Sequence, residues 1–401
     1  MEDVATSDSL VANTEPPEMT PEQLQALIKT SGFAFRGFDQ TNLGKSPELL
    51  EHLVYGPTIE RHLREASALC SEMLNSQVDL VARVRERRET TLVEYGEAIA
   101  MIVAVEMAQL ELLREMFGIT YESAQLAIGY SLGEISALVA SKVFSLEAVL
   151  TPLLVLSADI VSQAEDVRMG IIFSRGPVLD VAAIERLCLE ITLQGHGTIA
   201  ISAYLSPNTV LVLGQQQTLD AMKSAIRGHF PKGVVLKENP DKWPPIHTPI
   251  TRQKQIPDRA AVMLERAPGG FIAPRPNIIS CVTGKADYNN FNSREILNRW
   301  VDYPQRLWEV IDQTISSGIE LLIHVGPAPN IIPATMQRIS LNVQTQLAEK
   351  SWSGLGLRAV SRIIRGNRPW LTNMLSSEAN LLRAPFIQEL ILEDWLLAQM
   401  P

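Results

Sequence analysis

Residues Ala124 to Leu138 read AQLAIGYSLGEISAL. The apolar run Leu126–Ile128 predicts a short buried strand. Gly129-Tyr130-Ser131-Leu132-Gly133 follows as a G-x-S-x-G pattern, and Glu134, Ile135, Ala137, Leu138 and Val139 suit a helix. Strand, sharp turn and helix is the setting in which a serine is held clear of a sheet as a nucleophile. The start of the helix adds unpaired N–H groups and a partial positive charge beside Ser131, an environment that favours a developing oxyanion. With glycine at roughly 7% and serine taken as similar, about one chain in ten of this length carries the pattern by chance. The flanking strand and helix are therefore what give it weight.

Outward from this stretch, the chain has 401 residues, 46% hydrophobic and 20% charged, enough for a large core and a smaller domain. A net charge of −10 argues against a nucleic-acid surface. Cys70, Cys188 and Cys281 are too widely spaced for a disulfide framework or a metal site, which makes a reducing cytoplasm the expected location. Met1–Glu22 is acidic and polar, unlike a signal peptide. No run of 18 apolar residues occurs, so no membrane span is expected.

Upstream, Gly32–Phe35 alternates toward a strand, Leu49–Leu74 reads as helical around Tyr55-Gly56-Pro57, and Tyr95–Phe117 is a long apolar helix stopped by Gly118. The cluster Arg83-Val84-Arg85-Glu86-Arg87-Arg88 suits a solvated helix end or a docking patch for an acidic partner. Downstream, Leu146–Gln163 is a helix with Pro152 near its start. Between about Gly170 and Leu236 the predicted order is β-α-β-β-α-β, a ferredoxin-like unit inserted into the larger domain. Pro276–Gly284 reads as a strand and turn, Trp300–Ser316 as a helix, and Leu321–Pro327 as a further strand and turn. Helices are expected near Asn373–Arg383 and Phe386–Met400.

A serine nucleophile needs a base within reach, and histidine suits neutral pH. Of six histidines, His52 and His62 lie in polar helical sequence, His196 sits between glycines in a loop, and His229 follows a helix end. His247 lies where the chain returns from the insertion, in Trp243-Pro244-Pro245-Ile246-His247-Thr248-Pro249. His324 lies in an apolar strand, where a core role is the plainer reading. On residues alone His247 leads, with His324 as the alternative.

Together these features resemble the acyl-transferase family of fatty-acid and polyketide synthesis, of the malonyl-CoA:acyl-carrier-protein transacylase kind, over roughly Gly32 to Ile339. Gly129–Glu134 is similar to the family's G-H-S-L-G-E with Tyr130 in place of His, and His247 falls where the family carries its catalytic His. Val325-Gly326-Pro327 resembles the E-V-G-P turn, which gives His324 a structural position. Ser280–Gly284 resembles the N-V-x-G segment, from which a backbone carbonyl is expected to orient the His. The family's F-P-G-Q-G-S-Q opening is Phe35-Arg36-Gly37-Phe38-Asp39-Gln40-Thr41 here. Phe38 thus replaces the Gln whose backbone N–H shares the oxyanion hole, a donor that any non-proline residue can supply. Malonyl-specific members hold the free carboxylate with an Arg at a fixed distance after the serine; the matching position is Leu156, and no arginine occurs between Ser131 and Arg168.

The resemblance implies an α/β fold, a hydrolase-like parallel-sheet core with an inserted ferredoxin-like (βαββαβ) small subdomain. The expected division is a flexible tail over 1–30, a large domain over 31–167 and 237–344, the small subdomain over 168–236, and a C-terminal helical extension over 345–401. Ser131 and His247 are the expected catalytic pair, with backbone N–H groups of Phe38 and Leu132 as the oxyanion hole. Leu156 and Tyr130 are expected to line the acyl pocket, which favours an uncharged acyl group over malonyl unless another cation such as Arg252 substitutes. No bound cofactor or metal is expected, acyl-CoA and phosphopantetheine being substrates. The expected partners are an acidic acyl-carrier protein or CoA, and synthase components. The alternatives are a non-catalytic docking module of the same fold and an acyl hydrolase or esterase.

Overall fold

Ser31–Phe35 reads S-G-F-A-F, and all five residues are buried. Such a strand needs cover on both faces, which a parallel sheet flanked by helices supplies. In the computed structural model, which describes residues 19–174, 179–348 and 380–399, this strand is β1 and lies at the centre of the large domain. β2 (Leu126–Gly129) pairs with it in parallel, Phe35 opposite Gly129. The next four strands belong to the insertion: β3 (Val167–Ser174), β4 (Ile199–Ser206), β5 (Thr209–Gln215) and β6 (Val234–Asn239). β7 (Asn277–Ile279), β8 (Leu321–Val325) and β9 (Gln388–Ile391) complete the large sheet in the order β7-β2-β1-β8-β9.

Side-chain alternation assigns the two faces. Phe33, Phe35, Ala127, Ile323 and Val325 point into one core, beneath the helix Tyr95–Phe117. Ala34, Leu126, Ile128, Ile279 and Leu322 point into the other, against Leu307, Val310 and Ile311 of the helix Leu307–Ser316. The helix Tyr95–Phe117 is buried on nearly all sides and ends at Gly118, whose φ of 67° is the left-handed cap that glycine adopts without strain. The helix Leu146–Gln163 is long and apolar enough to cross a membrane, but it packs against Gly56–Leu74, Tyr95–Phe117 and Ile256–Arg266 as a core helix.

The small subdomain has the antiparallel order β4-β5-β3-β6, with the helices Val181–Leu193 and Thr218–His229 closing a core of Ile172, Ile184, Leu187, Ile191, Val210, Val212 and Met222. This is the βαββαβ pattern with a ferredoxin-like strand order.

The structure departs from the expected chain ends and from one expected helix. The stretch 1–30 includes the helix Pro21–Leu27, capped by Thr20 and Gln23 and anchored by the fully buried Leu24, so the tail expectation fails from residue 20 onward. Residues 1–18 lie outside the described residues, as does the stretch 349–379, which holds most of the helix expected near Asn373–Arg383. Leu381–Phe386 is a 3-10 turn around Pro385. Phe386–Met400 is not one helix: Gln388–Ile391 pairs in parallel with β8, and only Leu392–Ala398 is helical. The apolar run Leu390-Ile391-Leu392 satisfies either period, and the open edge of β8 supplies the hydrogen bonds that select the strand. The expected helix Trp300–Ser316 is two helices, Ser293–Trp300 and Leu307–Ser316, divided by a loop at Pro304. Proline pushes its predecessor Tyr303 out of helical geometry and removes a donor N–H.

Candidate active site

The close approach of backbone explains the two glycines around Ser131. A Cβ on Gly129 would lie 2.1 Å from the carbonyl carbon of Gly133, and one on Gly133 would lie 2.2 Å from the Phe35 carbonyl oxygen. Only with both side chains absent can the helix Leu132–Ala140 start directly over the carboxyl ends of β1 and β2, where open parallel sheets place their ligands. Ser131 takes the turn with φ 54° and ψ −115°, a conformation that costs a non-glycine residue free energy and must be held by its surroundings.

His247 supplies the second strained residue, with φ 64°. Its Nε2 lies 2.7 Å from the Ser131 Oγ. Its Nδ1 lies 2.7 Å from the Trp300 carbonyl oxygen, which can only accept, so Nδ1 carries the proton and Nε2 is free to accept from the serine hydroxyl. Complete burial lowers the His247 pKa to about 4, opposed in part by the hydrogen bond to Trp300. The imidazole is therefore neutral at physiological pH, as a base requires.

Both strained residues are held by one segment, Trp300–Gln305. The Val301 carbonyl accepts from the His247 N–H at 2.8 Å, and the Trp300 ring meets the imidazole edge to face at 4.8 Å. Trp300 Nε1 donates to the Ser131 carbonyl at 3.0 Å, and Gln305 Oε1 accepts from the Ser131 N–H at 3.2 Å. Sequence reasoning missed Trp300 and Gln305; the break at Asp302-Tyr303-Pro304 was the available signal that a loop intervenes. It also expected a carbonyl from Ser280–Gly284 to orient His247, and that expectation is corrected, since the carbonyl belongs to Trp300. The Ser280 segment acts one step back: the Cys281 carbonyl accepts from the Arg306 N–H at 2.6 Å and so anchors the end of the loop. Glu134 holds that segment in turn, accepting from the Cys281 N–H at 3.0 Å and the Tyr288 hydroxyl at 2.8 Å. Burial raises the Glu134 carboxyl to about 7 against those donors.

The opening segment is fixed by Arg36, which is fully buried. Its guanidinium donates to the carbonyls of Gly37, Thr41 and Pro327 and to the Asn42 side chain. Its backbone N–H donates to Glu106, whose carboxyl burial raises to about 8. A Cβ on Gly37 would lie 2.7 Å from the Tyr130 carbonyl and 3.6 Å from the Ser131 Cβ, so this backbone runs directly against the serine turn just before Phe38. The Phe38 ring packs edge to face on Tyr95 at 5.0 Å. Leu132 is the first residue of its helix, where N–H groups lack intrahelical partners.

Tyr130 is half-buried, and burial raises its hydroxyl pKa. Leu156 is buried in the main core. Gln163, on the same helix face two turns later, donates to the Ile250 carbonyl at 2.9 Å, which turns that face toward the His247 loop. Arg252 is paired with Asp302 at 2.6 Å. His324 is buried and bonded to Glu389 at 3.0 Å, joining β8 to β9. His52 accepts from the Tyr55 N–H, His62 meets Glu111, and His196 is exposed. The cluster over residues 83–88 is neutralised internally: Arg83 binds Glu94 and Glu97, Arg85 binds Glu60, Arg87 binds Glu48 and Arg88 binds Glu86.

No family model matches the chain, and no curated protein matches it. Solved structures do. FabD from Acinetobacter baumannii aligns with a TM-score of 0.60 at 18% identity, over 75% of this chain and 88% of its own. An acyl carrier protein S-malonyltransferase from Vibrio cholerae gives 0.60 at 22% identity, over 77% and 94%. A malonyl-transacylase solved in complex with a type II polyketide synthase acyl-carrier protein gives 0.57 at 22% identity, over 76% and 91%. The large sheet, the serine turn and the inserted ferredoxin-like unit are thus assembled in the fold of the malonyl-CoA:acyl-carrier-protein transacylases.

Proposed function

We propose that the chain is an acyltransferase that moves an acyl group from a CoA thioester, through an acyl-Ser131 ester, to the phosphopantetheine thiol of an acyl-carrier protein. The observation that carries this reading is the 2.7 Å approach of Ser131 Oγ to a His247 Nε2 whose other nitrogen is engaged by a carbonyl. His247 takes the Ser131 proton as Oγ attacks the thioester carbonyl. The Leu132 and Phe38 N–H groups receive the charge that develops on the carbonyl oxygen. Collapse expels the thiolate, which takes the proton back from His247. The acceptor thiol then gives its proton to His247 and its sulfur attacks the ester carbonyl; as the ester C–O bond breaks, His247 returns the proton to Ser131 Oγ. The relative solved with its acyl-carrier protein supports a carrier as acceptor.

The acyl group is proposed to be uncharged. Leu156 is aliphatic, and the guanidinium groups of Arg36 and Arg252 are already committed, Arg36 to four oxygens and Arg252 to Asp302. A malonyl carboxylate would be desolvated with no bidentate partner, whereas each buried methylene of a neutral chain gains roughly 0.8 kcal/mol. Intact-mass measurement of acyl-enzyme formation from malonyl-, acetyl- and hexanoyl-CoA tests both parts. Ser131 should load the neutral acyl groups faster, and Leu156→Arg should narrow the gap. Faster malonyl loading by the unmodified protein rejects the substrate assignment, and no adduct from any acyl-CoA rejects the activity.

A further inference from the structure

We propose that Gln305 is a positioning residue for the Ser131–His247 pair and ties that pair to the small subdomain. The proposal rests on the acyl-transfer reading for its purpose but not for its geometry. Gln305 is completely buried. Its main chain is stitched to β4: the Gln305 N–H donates to the Ser202 carbonyl at 2.8 Å, and the Tyr204 N–H donates to the Gln305 carbonyl at 2.8 Å. Its side chain reaches the other way, with Oε1 3.2 Å from the Ser131 nitrogen and Nε2 3.2 Å from His247 Nδ1. One residue therefore touches the strained nucleophile, the base and the inserted domain.

The orientation of the amide follows from its neighbours. The Ser131 N–H can only donate, so the amide atom facing it is the oxygen. The amide NH2 then faces the imidazole edge, where Nδ1–H is already given to the Trp300 carbonyl. Two donors facing each other form no hydrogen bond. The amide instead turns its positive end toward the ring and disfavours a second proton on His247. A serine–histidine–acid triad places a carboxylate at this edge, with the opposite effect. Here the base is oriented by a carbonyl and kept neutral by an amide, while the same amide fixes the nucleophile's backbone.

The charged groups around His247 do not alter this arrangement. Asp302, on the Trp300 loop, and Arg252, on the His247 loop, pair with each other. Glu134, beyond the serine turn, is turned toward Cys281 and Tyr288. Asp39, on the opening segment, accepts from the Gln40 N–H.

Two substitutions separate the roles. Gln305→Glu offers oxygens to both the Ser131 N–H and His247 Nδ1–H, and Gln305→Met keeps the volume and the main-chain ladder but removes both polar ends. The readouts are NMR titration of His247 in histidine-labelled protein, and the rate of fluorophosphonate labelling of Ser131 as a function of pH. Gln305→Glu should raise the His247 midpoint by about 1 unit or more and move the acid limb of labelling upward with it. Gln305→Met should slow labelling by about tenfold or more at every pH. Wild-type titration and labelling in both variants would overturn the proposal. If Gln305→Met fails to fold, Gln305→Glu decides alone, and an unmoved His247 midpoint rejects the role. A wild-type protein that labels at Ser131 but accepts no acyl-CoA rejects acyl transfer while leaving Gln305 to be judged by its variants. A wild type that neither labels nor loads rejects the shared premise, and the proposal with it.

Discussion

The serine turn and the Trp300–Gln305 loop meet at one residue and are built on opposite terms. The turn is contiguous in sequence: strand, glycine, serine, glycine and helix follow one another, with Gly129 answering to Gly133 and Glu134 a few residues on, although Gly133 itself answers to the Phe35 carbonyl of β1. The loop's side chains act at long range: Trp300 reaches Ser131 and His247, and Gln305 reaches Ser131 and His247 while its main chain pairs with β4. The turn carries Ser131 Oγ, and the loop holds the positive-φ backbones of Ser131 and His247. A motif can therefore mark where chemistry is possible while the residues that fix its geometry leave no local trace.

The largest expected effect lies on the turn. Ser131→Ala should abolish the acyl adduct in intact-mass measurements while stability changes by about 1 kcal/mol or less, since what the hydroxyl loses is its hydrogen bond to His247. His247→Ala should slow adduct formation by roughly 10²–10⁴-fold. Gly37→Ala drives a Cβ to 2.7 Å from the Tyr130 carbonyl and must push the opening segment off the turn. It should cost roughly 10²-fold in the same assay with the protein still folded.

In stability, His247 gives a signed pH effect. Its folded pKa of about 4 lies below the ordinary 6.5, so as pH falls below 6.5 the unfolded chain takes up the proton first. Stability associated with this group is present above pH 6.5, is lost between 6.5 and about 4, and amounts to roughly 3 kcal/mol. Urea unfolding of wild type and His247→Gln across that range should differ in slope, steeper for wild type. The smallest effect belongs to the loop: Trp300→Phe keeps the ring against His247 but deletes the donor to the Ser131 carbonyl. It should slow labelling by about tenfold and leave the pH profile in place, because the carbonyl on Nδ1 is main chain. A shifted profile in Trp300→Phe would blur the division between turn and loop.

Much of the fold was legible because it is periodic. The helices Tyr95–Phe117 and Leu146–Gln163 begin and end where the apolar pattern and Gly118 place them. The order of elements in the insertion emerged from alternation between short apolar runs. The expected pairing of Ser131 with a histidine rested on the position of His247 after the insertion, and the structure brings that residue, not His324, to the serine. The loop after Trp300 was lost because Leu307, Val310 and Ile311 extend a helical pattern back across Pro304. Gln305 could not have been found at all: its main-chain partners lie in a strand of another subdomain, and no spacing encodes that pairing. Arg36 was legible only as a departure from the opening motif, and its role as a buried clamp on that segment needed the Pro327 turn from the far end of the domain.

The strand β9 has a consequence for how the molecule is made. β8 pairs on one side with β1, which is already synthesised, but its other edge waits for Gln388–Ile391, more than sixty residues later. At synthesis rates of roughly 5–20 residues per second that edge stands open for several seconds. Through that interval it presents unpaired main-chain groups flanked by Leu321, Leu322 and Ile323, a template for pairing with a neighbouring nascent chain. The arrival of β9 then ends this exposure, and His324 with Glu389 secures the closure.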